Sequence, residues 1–184
     1  MLQTLQQDPD KWQECVELFE RREVPAKTML LNEGDIAEHM YIIKKGCLRL
    51  WFNHDGKDIT FQFFIENQGV SSFESFFGDE PSIFSLQSVE VSTLVAITRK
   101  GFERLFVIYP QLKDEFHRIL LKRMGNYARL FLSMIRDTPQ QRYETIQRDH
   151  PEIVRRIPQY YIASYLGITP VSLSRIRSRI VLKR

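Results

Sequence analysis

Only two cysteines occur in the 184 residues, Cys15 and Cys47. They match no metal-ligand spacing and give no disulfide framework, which removes zinc ribbons and disulfide-stapled secreted scaffolds. The four histidines, His39, His54, His117 and His150, are scattered and form no zinc or haem cluster. No apolar run approaches the ~18 residues of a bilayer-spanning helix. Met1 to Asp10 lacks the apolar segment of a signal peptide. A cytoplasmic protein with no membrane partner is expected. The chain has no phosphate-cradling glycine loop, no Ser/His/Asp ordering and no metal triad, and the paired acids Asp79-Glu80 read as a surface turn. An enzyme is not expected, and no cofactor is implied.

The most informative absence is of acid at one end. After Glu152 no Asp or Glu occurs, while Arg155, Arg156, Arg175, Arg177, Arg179, Lys183 and Arg184 do. Residues 153–184 therefore carry a formal +7; with a chain total of +3, residues 1–152 carry −4. A basic lobe on an acidic body implies a polyanion held at one end.

What is present is enough for a core. Hydrophobic residues make up 43% of the chain, enough for one main domain and a small appendage. Lys11 to Glu23, with Trp12, Val16, Leu18 and Phe19 among charges, predicts an amphipathic helix. Short strands follow. Met29 to Leu31 runs into the turn Asn32-Glu33-Gly34-Asp35, and Met40 to Ile43 is broken by Lys45-Gly46. Leu48, Leu50 and Phe52 alternate with Arg49 and Trp51 as in a strand with one buried face. Asn53-His54-Asp55-Gly56 predicts a hairpin returning through Ile59 to Ile65. Val70 to Phe77 reads as irregular. Phe84 to Leu86, Val89 to Val91 and Leu94 to Ile97 predict three more strands, so the segment reads as an all-β sandwich or barrel.

Helices take over after Thr98, which can cap a helix ending near Tyr109. Pro110 is expected at the first position of a long helix; from Gln111 to Ile135 it would run roughly 37 Å. Its apolar stripe holds more than its own β-domain can bury. Phe116, Ile119, Leu120, Met124, Tyr127, Leu130, Phe131 and Met134 are therefore expected in a seam with a second copy. Asp137-Thr138-Pro139 starts another capped helix, which ends by Asp149-His150-Pro151.

The last stretch predicts two short helices around a tight turn. Pro158 and Pro170 suit first helical positions, Ala163 is small where helices must cross, Gly167 can take φ > 0, and Thr169 can cap. Leu166, Ile168, Leu173, Ile176 and Ile180 turn inward; Val171, Ser174, Arg175 and Ser178 turn out. This is the layout of a helix-turn-helix whose second helix enters the major groove of double-stranded DNA. Arg175, outward at mid-helix, is the expected base reader, with Val171 against a thymine methyl. Ser174 and Ser178 share that face. Thr169, Ser172 and the N–H groups near Gln159 are expected on phosphates, and Arg177 and Arg179 on the flanking backbone.

The order of parts resembles the cyclic-AMP receptor protein / fumarate-nitrate regulator family along nearly the whole chain. The residues carrying it are Leu31-Asn32-Glu33-Gly34-Asp35 with Met40 to Gly46, the Asp55-Gly56 hairpin and the helix-turn-helix. The resemblance implies an α+β chain of three parts. A cyclic-nucleotide-binding-like β-roll, of jelly-roll type, spans 1–109, a long dimerisation helix 110–136, and a helix-turn-helix lobe 137–184. It further implies a homodimer joined along the long helix, a small-molecule pocket in the roll, and two recognition helices meeting a palindrome. RNA polymerase is a candidate further partner.

Two departures follow from the family's pattern. Relatives hold the ribose with a glutamate and the cyclic phosphate with an arginine followed by Ser or Thr. Here the corresponding runs are Ser71-Ser72-Phe73-Glu74-Ser75-Phe76-Phe77 and Pro81-Ser82-Ile83-Phe84, with no arginine between Leu50 and Thr98. The expected pocket residues are Ser72, Phe73, Glu74, Ser82, Phe84 and Tyr127, and cyclic AMP is not the expected effector. The second departure is a β-hairpin wing, expected to be incomplete because the sequence stops at Arg184. An iron–sulfur sensor needs four cysteine ligands, and two are present. The competing reading is a ligand-responsive module that acts on protein partners without DNA.

Overall fold

The computed structural model describes residues 8–181. Met1 to Gln7, Lys183, Arg184 and the expected lack of a wing lie outside the described residues. The chain opens with α1 (Pro9–Cys15) and a 3-10 turn (Val16–Leu18), followed by β1 (Phe19–Val24), β2 (Met29–Leu31), β3 (His39–Lys45), β4 (Leu48–His54), β5 (Lys57–Phe64) and β6 (Gly69–Val70). Then come α2 (Phe73–Gly78), β7 (Ser85–Ser88), β8 (Ser92–Thr98), α3 (Arg99–Ile108) and α4 (Leu112–Arg136). The last helices are α5 (Pro139–Asp149), α6 (Pro151–Arg156), α7 (Gln159–Tyr165) and α8 (Pro170–Val181).

The strands form two four-stranded sheets, β1-β8-β3-β6 and β2-β7-β4-β5, with antiparallel pairing throughout. Between them lies an apolar core of Tyr41, Ile43, Leu48, Leu50, Phe64, Val70, Leu86, Leu94 and Ala96. The hairpin between β4 and β5 turns where the residues require it. Asp55 and Gly56 both have positive φ, 51° and 76°, which suits a two-residue loop of the right twist. The Gly56 N–H donates to Asn53 Oδ1 at 3.1 Å. Farther along β5 the register slips between Leu50 and Trp51. Phe61 is the extra residue, and its ring touches Phe84 and Tyr127 at centroid distances of 4.9 and 5.3 Å.

Some expectations are corrected. Phe19 to Glu23 is not the end of a helix but part of β1, paired from Phe19↔Ile97 to Val24↔Ser92. Val70 to Phe77 is not all irregular, since α2 occupies most of it. Val89 to Val91 is the link between β7 and β8 and not a third strand. Pro110 precedes the long helix, which begins two residues later at Leu112. The helix α6 was not foreseen.

The helix starts otherwise follow local chemistry. Thr98 Oγ1 accepts the Gly101 N–H at 3.1 Å. Thr138 and Gln141 form a reciprocal capping box at the start of α5, a device worth about 1 kcal/mol. Among the described residues no helix is long and apolar enough to cross a membrane.

Candidate nucleic-acid interface and effector pocket

The turn between α7 and α8 is built from backbone geometry. Gly167 has φ 68°; its N–H donates to the Ser164 carbonyl at 3.0 Å, and that of Ile168 to the Ala163 carbonyl at 3.0 Å. This pair of bonds ends a helix when one residue is left-handed, which glycine adopts without strain. The next helix begins at once, because Thr169 Oγ1 accepts the Ser172 N–H at 3.2 Å. Pro158 stands at the N-cap of α7 and not inside it. Ala163, Leu166 and Leu173 are fully buried between the helices, with Ile176 beside them. From α5, Arg142 donates to the Leu166 carbonyl at 2.7 Å.

That packing leaves one side of α8 free. Val171, Ser174, Arg175, Ser178 and Arg179 are exposed, as are Gln159 and Thr169, while Ser172 and Arg177 are half-buried. The Thr169 hydroxyl is engaged by Ser172, both through its N–H and through its hydroxyl at 3.0 Å. Arg156 leaves the pool of free basic residues. It bonds Glu66 at 2.7 and 2.9 Å and also pairs with Glu90, both on the β-roll side. The Arg156 hydrogen bond holds the Glu66 carboxyl down at about 2.

The lobe formed by α5 to α8 is docked on the outer face of the second sheet. One cluster joins Cys47, Phe63 and Val89 of the roll to Tyr143, Ile157, Tyr161 and Leu166. Here the one-sided strand read for β4 is corrected, because Arg49, expected on a solvated face, is 1% exposed. Its guanidinium lies 4.7 Å from the Trp51 ring and 3.9 Å from that of Tyr161.

Among the expected effector residues, Ser72, Glu74, Ser82 and Phe84 are linked by hydrogen bonds, while Tyr127 packs on Phe61 at the border of an apolar cleft. Ser72 and Ser82 are buried. Ser82 Oγ lies 2.6 Å from both Ser72 Oγ and the Phe84 carbonyl, and Ser72 Oγ lies 2.5 Å from Glu74 Oε1. The Gly34-Asp35 turn pins this loop through two backbone bonds to Ser82. The polar groups of this cluster therefore satisfy one another.

Sequence reading missed Arg123. It reaches in from α4, donates to the Gly69 carbonyl at 2.6 Å and lies 4.6 Å over the Phe73 ring and 5.3 Å over Phe64. Burial lowers its pKa from the ordinary arginine value. The signal was available, since Phe116, Leu120, Arg123 and Tyr127 recur at spacings of three and four, one side of a helix.

That side faces the roll. Leu112 and Phe116 are buried in the core built with α1 and α3, and Leu120 packs against it. Phe116 and Leu120 are thus withdrawn from the expected seam, and Tyr127 packs on Phe61. Tyr127, Leu130, Phe131 and Met134 border an apolar cleft of about 420 Å³ toward Phe61 and Gly167. The unpartnered face of α4 lies beside it and shares Phe131 with its border. Leu121, Met124, Ala128, Phe131 and Ile135 follow at alternating spacings of three and four and are all exposed, with Leu132 alongside. Two apolar faces, one packed against the roll and one exposed, account for the breadth of the stripe.

Residues 21–109 match the cyclic nucleotide-binding domain family. The chain is 26% identical over 118 residues to the "Anaerobic regulatory protein" of Bacillus subtilis (strain 168), a match covering 64% of this chain and 48% of that protein. The chain thus spans about half the length of that curated relative. Its fold is that of the c-di-GMP responsive global regulator CLP of Xanthomonas campestris, at a TM-score of 0.77 and 16% identity, covering 96% of this chain and 93% of that one. FixK2 of Bradyrhizobium japonicum gives a TM-score of 0.77 at 15% identity, covering 90% and 85%. The catabolite activator protein of Thermus thermophilus gives 0.58 at 18% identity, covering 96% and 84%.

Proposed function

We propose, on the premise that residues 21–109 are a cyclic nucleotide-binding domain in a chain with the fold of cyclic-AMP receptor protein / fumarate-nitrate regulators, that this protein is a dimeric, cytoplasmic, DNA-binding transcriptional regulator. The observation that carries the reading is the exposed face of α8, where Val171, Ser174, Arg175 and Ser178 stand clear while the opposite side is packed. A module acting on protein partners would leave the same face solvated, and salt separates the two. Arg175, Arg177 and Arg179 on each of two subunits should release about six counterions, a log–log salt slope of about −5. Retention on DNA that is indifferent to salt would count against the reading.

The dimer is assigned to the exposed seam of Leu121, Met124, Ala128, Phe131 and Ile135, whose spacing is that of paired helices. Two such helices place one helix-turn-helix on each side of a two-fold axis, the symmetry of a palindromic operator.

Cyclic AMP is not the effector in this reading. Holding a cyclic phosphate requires charge-assisted donors to replace its water. The matching loop offers Ser82, whose hydroxyl is already engaged, and Arg123 would have to leave the Gly69 carbonyl and two rings. Calorimetric titration with cyclic AMP or cyclic GMP at millimolar concentration should give no saturable heat. A micromolar Kd abolished by Arg123→Gln would overturn this and make Arg123 the phosphate ligand.

A further inference from the structure

We propose that Arg49, a residue of the β-roll, is a positioning residue for the helix-turn-helix: it seats α7 on the second sheet and so fixes the angle at which α8 meets DNA. The inference rests on the DNA-binding reading above.

Every edge of the Arg49 guanidinium is tied to the sheet. Nε donates to Gln87 Oε1 at 3.0 Å, Nη1 to Thr60 Oγ1 at 3.2 Å, and Nη2 to Asp58 at 3.0 Å. Three bonds from β5 and β7 fix the plane of the fork, which a lysine cannot reproduce. Its faces are then free for rings, with Trp51 from its own strand and Tyr161 from α7. Desolvation strengthens such a stack, because water no longer competes for the cation. The Tyr161 hydroxyl also reaches Gln87 Oε1, at 3.4 Å.

One helical turn on, Ser164 makes the second point of attachment. The Thr60 N–H donates to Ser164 Oγ at 2.8 Å, and that hydroxyl donates to the Asp58 carbonyl at 2.6 Å. β5 is an edge strand, so Ser164 takes ladder groups that no neighbouring strand uses. One attachment on the face of the sheet and one at its edge hold α7 against rolling. α8 shares a packed core with α7 across the Gly167 turn, so its direction is fixed as well. The reading face stays exposed in this arrangement, and the joint therefore orients the lobe without blocking it.

The consequence appears only where orientation counts. Two lobes on one palindrome must hold a set spacing, whereas one lobe on one half-site need not. In the full chain, Arg49→Met is expected to weaken binding to the selected palindrome at least tenfold and to leave a single half-site within twofold of wild type. Hydrogen exchange at the Thr60 amide should rise, with β3 and β8 amides unchanged. Arg49→Lys should not restore either readout. Unchanged palindrome affinity, or equal losses on palindrome and half-site, would overturn the proposal. If Arg49→Met does not fold, Ser164→Ala gives the same comparison with the sheet intact. If the wild type binds no DNA, the parent reading fails while exchange still tests the joint: a Thr60 amide as protected in the variant as in wild type sinks it.

Discussion

Phe131→Lys should convert a dimer into a monomer. Phe131 is 67% exposed in the single chain and is the largest side chain of the Leu121–Ile135 seam. Burying an aromatic side chain contributes about 1.5–3 kcal/mol, and a two-fold seam contains it twice. The substitution removes both and sets two ammonium groups in an apolar contact, so the dissociation constant should rise on the order of a thousandfold. Light scattering at micromolar concentration reads this directly, as a halving of the mass with unchanged helix content. Leu130→Lys makes the informative contrast. Leu130 borders the same cleft as Phe131 but is half-buried in the single chain, so its loss should lower the thermal midpoint of the chain more than it lowers the mass. A wild-type chain that is monomeric at these concentrations would remove the dimer from the account.

Arg175→Ala carries the second large effect. An arginine fork on O6 and N7 of one guanine is worth about 1–3 kcal/mol of discrimination. A two-fold operator contains it twice, so affinity should fall by roughly double that free energy. The loss should be confined to one base pair per half-site, where preference for guanine disappears. Arg179→Ala, also exposed on α8, should weaken every sequence about equally and flatten the salt slope by ~1 per subunit. Competition binding against a set of single-base operator variants separates these outcomes. Equal losses across all variants for Arg175→Ala would make it a phosphate contact.

Much of the architecture was legible because it is written in short-range chemistry. Asp55-Gly56, Thr98, Thr138 with Gln141, Gly167 and Thr169 act on backbone groups within a few residues, and each is found in the role its neighbours require. The misreadings share one cause. Phe19–Val24 becomes a strand through β8, far along the chain, and its own apolar spacing cannot reveal that partner. The stripe on α4 merged two faces, because apolar spacing marks burial without naming what covers it. Arg49 is the sharpest case. Alternation correctly put it opposite Leu48 and Leu50, but that outer face is covered by a lobe more than a hundred residues on. Arg123 is a further case, because it reaches the Phe73 ring from α4, far along the chain from the Ser71–Phe84 segment.

Two copies of this chain are expected to read one symmetric stretch of duplex DNA through α8. The decisive measurement is selection of bound duplexes from a random pool by the 184-residue chain. The expected result is an enriched palindrome whose half-sites are one helical turn apart, roughly 34–36 Å, with a guanine in each half whose enrichment is lost in Arg175→Ala. A pool with no enriched sequence, or a single unsymmetric motif bound by a monomer, would contradict it.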